Sequence, residues 1–203
     1  MARQFEALVR TARARIERAL LIDAEDEDRR KPLLLEAERY ARAAAELKPG
    51  AADGWFLIAA AVGLRGEYES TRAQVRLGGV VWEMAATALD RDPDHAGAHH
   101  VMGRLNLEAM SLSGVARMIA THFYGSEVLR RASWAQAERH LRLAAALEPD
   151  QLYHRLWLAR LYIERGDDDE ARRLLRELLA IQGRTELDRV WREEAARELQ
   201  AID

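Results

Sequence analysis

A spacing of small apolar residues that recurs along this chain constrains its fold more than any other feature. In each copy one apolar residue is followed by others four and seven positions later, and a proline, or a glycine in the last copy, comes five positions after the third. The copies are Ala37, Ala41, Ala44 and Pro49; Val81, Ala85, Ala88 and Pro93; Ala137, Leu141, Ala144 and Pro149; and Ala171, Leu175, Leu178 and Gly183. Such offsets place the residues on one face of a helix, where small side chains let a second helix approach closely. The proline marks the helix end, because it cannot continue the helix.

A second helix with matching positions follows each of the three prolines. The positions six, nine and ten residues after the proline hold Trp55, Ile58 and Ala59; His99, Met102 and Gly103; and Arg155, Leu158 and Ala159. In the last copy Tyr162, Gly166 and Ala171 continue the pattern without interruption. Each unit is therefore predicted to be a pair of helices that buries its apolar face only by stacking on its neighbours.

The intervals between the repeated prolines predict how the chain is organised. Pro149 to Gly183 spans 34 residues, whereas the two earlier intervals are 44 and 56 residues long, so the two middle units carry insertions. An acidic loop at 23–31 is expected to join the first two helices. We predict a single domain over residues 1–203, with the following parts: an N-terminal helical pair at 1–50, repeats at 51–93, 94–149 and 150–183, and a capping helix at 184–203.

Composition and charge exclude several classes of protein. The chain has 31 Lys and Arg against 34 Asp and Glu, a net charge of −3, which gives no electrostatic basis for binding nucleic acid. It has no cysteine, so disulfides and thiolate metal sites are excluded. No apolar run is long enough for a transmembrane segment, and the N-terminus lacks the apolar core of a secretory signal. As it stands the chain is expected to be soluble and cytoplasmic; removal of a leader would make it periplasmic.

The 34-residue unit resembles the tetratricopeptide repeat, which carries a bulky residue, Leu, a small residue and Tyr, then Gly, Ala, an aromatic, Ala and Pro. Residues 93–149, which include Gly103-Arg104, Leu112-Ser113 and the run from Ala132, are similar to the regulator of microtubule dynamics family and its bacterial relatives. The resemblance implies an all-α fold: a right-handed tetratricopeptide-type superhelix of about nine helices with inserted segments and a C-terminal capping helix. Where eukaryotic members have an aromatic residue, this chain has Gly114, and microtubule binding is not carried over.

The resemblance also implies a binding groove. In such repeats the first helix of each unit lines the concave face, with fixed positions pointing inward. Those positions hold Phe56, Ala60 and Leu64; His100, Arg104, Leu107 and Glu108; and Tyr153, Leu156, Arg160, Ile163 and Glu164. This lining is apolar with two arginines, and it suits an amphipathic helix or an acyl chain with an anionic head.

Two functions fit such a groove. The first is a non-catalytic scaffold that binds a protein or peptide partner. The alternative is a lipid or amphiphile carrier, with the insertion at 111–131 as a lid whose amphipathic helix presents Val115, Met118, Ile119 and Phe123. The same helix could instead fill the groove.

Catalysis, cofactors and metals are not expected. The sequence contains no nucleophile elbow, P-loop, dinucleotide fingerprint or zinc-binding helix. His95 and His99 are four residues apart, as helical metal ligands can be, but no carboxylate or cysteine completes a site. We therefore interpret these histidines as structural.

Overall fold

The computed structural model describes residues 1–113 and 127–203, and every regular element in this part of the chain is an α-helix. The helices are α1 (Ala2–Leu20), α2 (Glu27–Leu47), α3 (Ala52–Gly66), α4 (Thr71–Arg91), α5 (Ala96–Ser111), α6 (Glu127–Arg131), α7 (Trp134–Leu147), α8 (Leu152–Arg165), α9 (Asp168–Ala180) and α10 (Glu186–Ile202). None of them is long and apolar enough to cross a bilayer. The predicted all-helical class is confirmed.

The helices form a two-layered array of stacked pairs. Helix α1 packs on α2, α3 on α4, α5 on α7 and α8 on α9, and the second helix of each pair also contacts the helix that follows it. In one layer α1, α3, α5, α8 and α10 contact each other in that order. This arrangement is an all-α helical repeat superhelix, and the short α6 lies against α4 and α5.

The recurring stripe of apolar residues lies at the centre of each pair. All its members in α2, α4, α7 and α9 are buried, and the most accessible, Val81, is only 4% exposed. Gly103 shows how closely the layers approach, since a methyl group added there would come within 2.6 Å of the Leu141 side chain. The stripe therefore has the packing role that its spacing predicts.

The residue six positions after each repeated proline makes the same hydrogen bond in all three units, although the residue type differs. In all three units this side chain donates a hydrogen bond from a ring or guanidinium nitrogen to the proline carbonyl. The bonds are Trp55 Nε1 to Pro49 at 2.9 Å, His99 Nε2 to Pro93 at 2.9 Å, and Arg155 Nε to Pro149 at 3.5 Å. Trp, His and Arg are interchangeable here because each can present an N–H donor at the end of a long side chain.

The loop between the first two helices is shorter than predicted. Helix α2 begins at Glu27, so most of the acidic segment 23–31 is helical, and Pro32 lies inside the helix. Two features stabilise this early start: the Asp26 side chain accepts a hydrogen bond from the backbone N–H of Arg29, and Glu27 and Asp28 lie at the positive end of the helix dipole.

Side chains cap two of the later helices, and a short helix lies inside the predicted insertion. Ser133 accepts from the backbone of Gln136 at the start of α7, and Thr185 forms a reciprocal capping box at the start of α10. With the short helix α6, which lies in the predicted insertion at 111–131, the described part of the chain has ten helices against about nine predicted. The lid residues Val115, Met118, Ile119 and Phe123 fall outside the residues that the structure describes.

Candidate binding groove

A groove of about 840 Å³ runs along the layer formed by α1, α3, α5, α8 and α10. The amino-terminal half of α4 and the turns after α7 and α9 complete the part of its wall that the structure describes. The larger apolar side chains of that wall include Phe56, Leu64, Leu77, Val81, Val101, Leu105, Tyr153, Trp157, Leu187 and Trp191. Most are half-buried, so they remain available for contact with a ligand.

Seven of the twelve groove positions inferred from the resemblance line this wall. They are Phe56, Ala60 and Leu64 on α3, His100, Arg104 and Glu108 on α5, and Tyr153 on α8. At these seven positions the side chains line the groove, where a ligand could contact them.

The other five positions are not among the described lining residues. Leu107 and Leu156 are buried in the core, 3% and 0% exposed. Arg160, Ile163 and Glu164 lie on the second half of α8, and α10 packs against this helix. Of these three residues, Arg160 forms ion pairs with α10, through Glu194 and Glu198.

The two arginines of the predicted groove are already paired with carboxylates. Arg104 donates to Glu67 and Glu108, both at 2.6 Å, and its guanidinium lies 4.4 Å from the centre of the Trp157 ring. Burial disfavours the charged guanidinium, but these carboxylates outweigh that effect and raise the pKa of Arg104. Arg160 donates to Glu198 at 2.7 Å and to Glu194 at 2.6 Å. The expectation that both arginines await an anionic head group is therefore corrected.

A chain of polar side chains joins α5, α8 and the turn before α8. Glu148 bonds to His154 Nε2 at 3.2 Å, and His154 Nδ1 lies 3.1 Å from His100 Nδ1. A carboxylate can only accept, so Nε2 of His154 donates to Glu148 and a neutral His154 accepts from His100. Burial lowers the pKa of His100 well below its usual range and that of His154 as well. The hydrogen bond from His154 lowers the pKa of Glu148.

A second histidine pair joins α5 to α7. His99 Nδ1 is 2.8 Å from His140 Nδ1, while its Nε2 donates to the Pro93 carbonyl. Burial, followed by the neighbouring His99 and Arg139, lowers the pKa of His140 to about 4. The adjacent histidines of α5 thus connect this helix to two different neighbours, His99 to α7 and His100 to α8.

The interpretation of His95 and His99 as structural agrees with their contacts. His95 Nδ1 accepts from the backbone of Ala98 and caps α5, and both ring nitrogens of His99 are hydrogen-bonded. In residues 1–113 and 127–203, no group of three or more His, Asp or Glu side chains is placed to hold a metal ion.

The sequence did not predict that the first and last helices of the array would line the groove. Helix α1 adds Arg13, Ile16 and Glu17 to the wall, and α10 adds Leu187 and Trp191. The register of the three central repeats carries no information on these helices, because their place at the groove depends on the curvature of the whole array. An amphipathic pattern with aromatic residues on a terminal helix was the only available signal.

The family described as regulator of microtubule dynamics protein 1-3 matches residues 1–203. No curated protein matches the chain.

Proposed function

This chain belongs to the regulator of microtubule dynamics protein 1-3 family, and we propose that it is a non-catalytic scaffold that binds a segment of a partner protein in its concave groove. The observation that carries the proposal is the continuous half-buried apolar wall, in which residues from α3, α5, α8 and α10 face one hollow. Such a wall suits the apolar face of an amphipathic helix. Nucleic acid is not an expected partner, because the net charge is −3.

We also assign the helix pairs to the tetratricopeptide class. The 34-residue spacing of the last unit and the buried stripe of small residues support this assignment. A kinship with bacterial members of the family stays a prediction from the sequence.

A cysteine introduced at Ala60 would test whether partners bind in the groove. The natural chain has no cysteine, so a single environment-sensitive dye can be attached at Ala60→Cys in the wall, or at Glu83→Cys on the exposed side of α4 as the matched control. Titration with synthetic amphipathic helical peptides should shift the emission of the first label and leave the second unchanged. Equal responses, or a response only at Glu83→Cys, would place binding outside the groove.

Filling the hollow gives an independent test. Ala60→Trp adds a large side chain to the half-buried wall and should weaken peptide binding about tenfold or more, because each displaced apolar contact contributes to affinity. Circular dichroism verifies that the variant keeps its helices. An unchanged affinity in a folded variant would argue against the groove.

A second function, binding of a lipid or another amphiphile, is favoured by one observation. The volume of about 840 Å³ lies within the range of about 300–1,000 Å³ that is typical of small-ligand cavities. Native mass spectrometry after gentle purification separates the two functions. A stoichiometric lipid adduct that Ala60→Trp removes would favour the amphiphile carrier, and a clean apo mass would favour the scaffold.

A further inference from the structure

The charges of the groove wall are predominantly negative. Among the lining residues that the structure describes, three are arginines and six are carboxylates. They are Arg13, Arg104 and Arg184, and Glu17, Glu67, Glu108, Glu148, Asp150 and Asp188. This part of the wall therefore carries a formal charge of −3 at neutral pH, and it favours a partner of the opposite sign.

Two of the three arginines already have carboxylate partners. Arg104 donates to two glutamates at 2.6 Å, and Arg13 lies 3.5 Å from Asp53. An anionic ligand would have to displace these partners before it gained a contact. The wall is thus poorly suited to an acidic peptide or an anionic head group.

Several carboxylates meet aromatic rings at one end of the groove. Glu17 on α1, and Glu148 and Asp150 in the turn before α8, line the same hollow as Tyr153 and Trp191, whose ring centres are 6.5 Å apart. Glu17 and Asp150 are exposed, so a ligand can reach them. We refer to these five residues as the acidic end.

Charged side chains from two distant parts of the chain lie near Tyr153. Burial raises the pKa of Tyr153, the negative charges of Glu148 and Glu17 act in the same direction, and the positive charge of Arg13 opposes them. The α7–α8 turn therefore contributes negative charge at this ring, whereas α1 contributes charges of both signs. Carboxylates beside half-buried aromatic rings are a suitable environment for an ammonium or guanidinium group.

We propose that the groove binds a basic amphipathic helix of a partner protein, with its apolar face against the wall and its lysines or arginines at the acidic end. The inference depends on the proposed scaffold function and adds the chemistry of the partner. It commits to a cationic protein segment, and acidic peptides and anionic lipids are the competing occupants.

Three helical peptides of about 18 residues test this inference. They share one apolar face and carry Lys, Gln or Glu at the same polar positions. Fluorescence anisotropy at low salt should rank their affinities Lys, Gln, Glu, with about tenfold or more between the first and last, and the difference should shrink as salt is added. Equal affinities, or a preference for the Glu peptide, would overturn the basic-partner inference.

A pair of double variants localises the effect. Glu17→Gln with Asp150→Asn removes two exposed charges of the acidic end and should weaken the Lys peptide several-fold while leaving the Gln peptide unchanged. Glu148 is left intact because it bonds to His154. The matched control is Glu46→Gln with Glu83→Gln, which removes two exposed charges outside the described lining of the groove and should change neither affinity. Equal losses of affinity for the Lys peptide in both double variants would show that only the net charge of the protein matters. That result would overturn the assignment of the acidic end as the place where the basic residues bind.

The outcomes separate the two proposals. If peptides of all charges bind equally and Ala60→Trp blocks them, the scaffold function stands and the basic partner is excluded. If no peptide binds, or if Ala60→Trp leaves binding intact, both proposals fail. Vesicles of anionic phospholipid that bind the protein, and are blocked by Ala60→Trp, would overturn the basic partner in favour of a lipid.

Discussion

His100 and His154 face each other through their Nδ1 atoms, so one ring must donate while the other accepts. Protonation of both rings would leave two donors facing each other and would break this bond. The same reasoning applies to His99 and His140, whose Nδ1 atoms are 2.8 Å apart. These bonds join α5 to its two neighbours only while at least one ring of each pair is neutral, and burial disfavours the charged forms of His100, His140 and His154.

Acid is therefore expected to destabilise the fold through these histidines. Their pKa in the unfolded chain is about 6.5, and in the folded chain burial lowers it for His100 and His154 and to about 4 for His140. Below pH 6.5 the unfolded chain binds more protons, so the free energy of unfolding should fall as the pH decreases from about 6.5 towards 4. Urea unfolding at several pH values between about 6.5 and 4 measures how the free energy of unfolding depends on pH.

A single substitution tests whether His140 causes part of this pH dependence of stability. His140→Gln removes one titrating ring, so its loss of stability between about pH 6.5 and 5 should be smaller than that of the natural chain. A natural chain whose stability does not change over this interval would contradict the assignment of neutral buried rings.

At the scale of the helix, close packing depends on individual glycines. A methyl group added at Gly54 on α3 would lie 2.8 Å from the backbone nitrogen of Ala45 on α2, and a backbone atom cannot move aside as a flexible side chain can. Gly54→Ala should therefore destabilise the protein by about 1–3 kcal/mol. Gly79 in α4 has open space around it, so Gly79→Ala should be neutral or stabilising by up to about 1 kcal/mol. Chemical denaturation of both variants compares them, and equal effects would contradict the close approach of α2 and α3.

The helix caps offer a second comparison at this scale. Thr185 accepts from the backbone of Asp188 at 3.0 Å, and Asp188 in return accepts from the backbone of Thr185 at 2.9 Å. Thr185→Ala should cost about 1 kcal/mol of stability. Ser70 occupies the same position before α4 but makes no capping bond, so Ser70→Ala should cost less than about 0.5 kcal/mol. Thermal unfolding of the two variants tests the difference, and a larger loss for Ser70→Ala would refute it.

At the scale of the whole molecule, the array needs its terminal helix. Trp191, Leu199 and Ile202 of α10 pack on a buried cluster whose members come mainly from α7, α8 and α9, and Ala195 of α10 is fully buried within it. Removing residues 184–203 would expose that cluster and leave Arg160 without two carboxylates.

The truncated chain is expected to lose about 3 kcal/mol or more of stability, because burial of each large apolar side chain contributes about 1.5–3 kcal/mol. It should also self-associate through the exposed face. Calorimetry and size-exclusion chromatography report these two effects, with Glu193→Gln on the exposed side of α10 as a full-length control. A truncated chain that stays monomeric with an unchanged Tm would show that α10 is not a structural cap.

The all-helical pairs could be predicted from the sequence because their determinants are local. A stripe such as Ala137, Leu141 and Ala144 is defined by offsets within one helix, and a cap such as that of Ser133 depends on the next three residues. Offsets of this kind are read directly from the chain. The groove positions on α3 and α5, and Tyr153 on α8, came from the register that the resemblance to the tetratricopeptide repeat implies.

The composition of the groove was decided by the tertiary structure. Glu67 reaches Arg104 from 37 residues away, and Glu194 and Glu198 reach Arg160 from 34 and 38 residues away. These contacts, like the entry of α1 and α10 into the wall, depend on the curvature of the stacked array. Curvature sums small rotations over all the helix pairs, so no local pattern encodes it. The sequence by itself determined the helices and their pairing, whereas the sign of the groove's charge arose only when distant helices met.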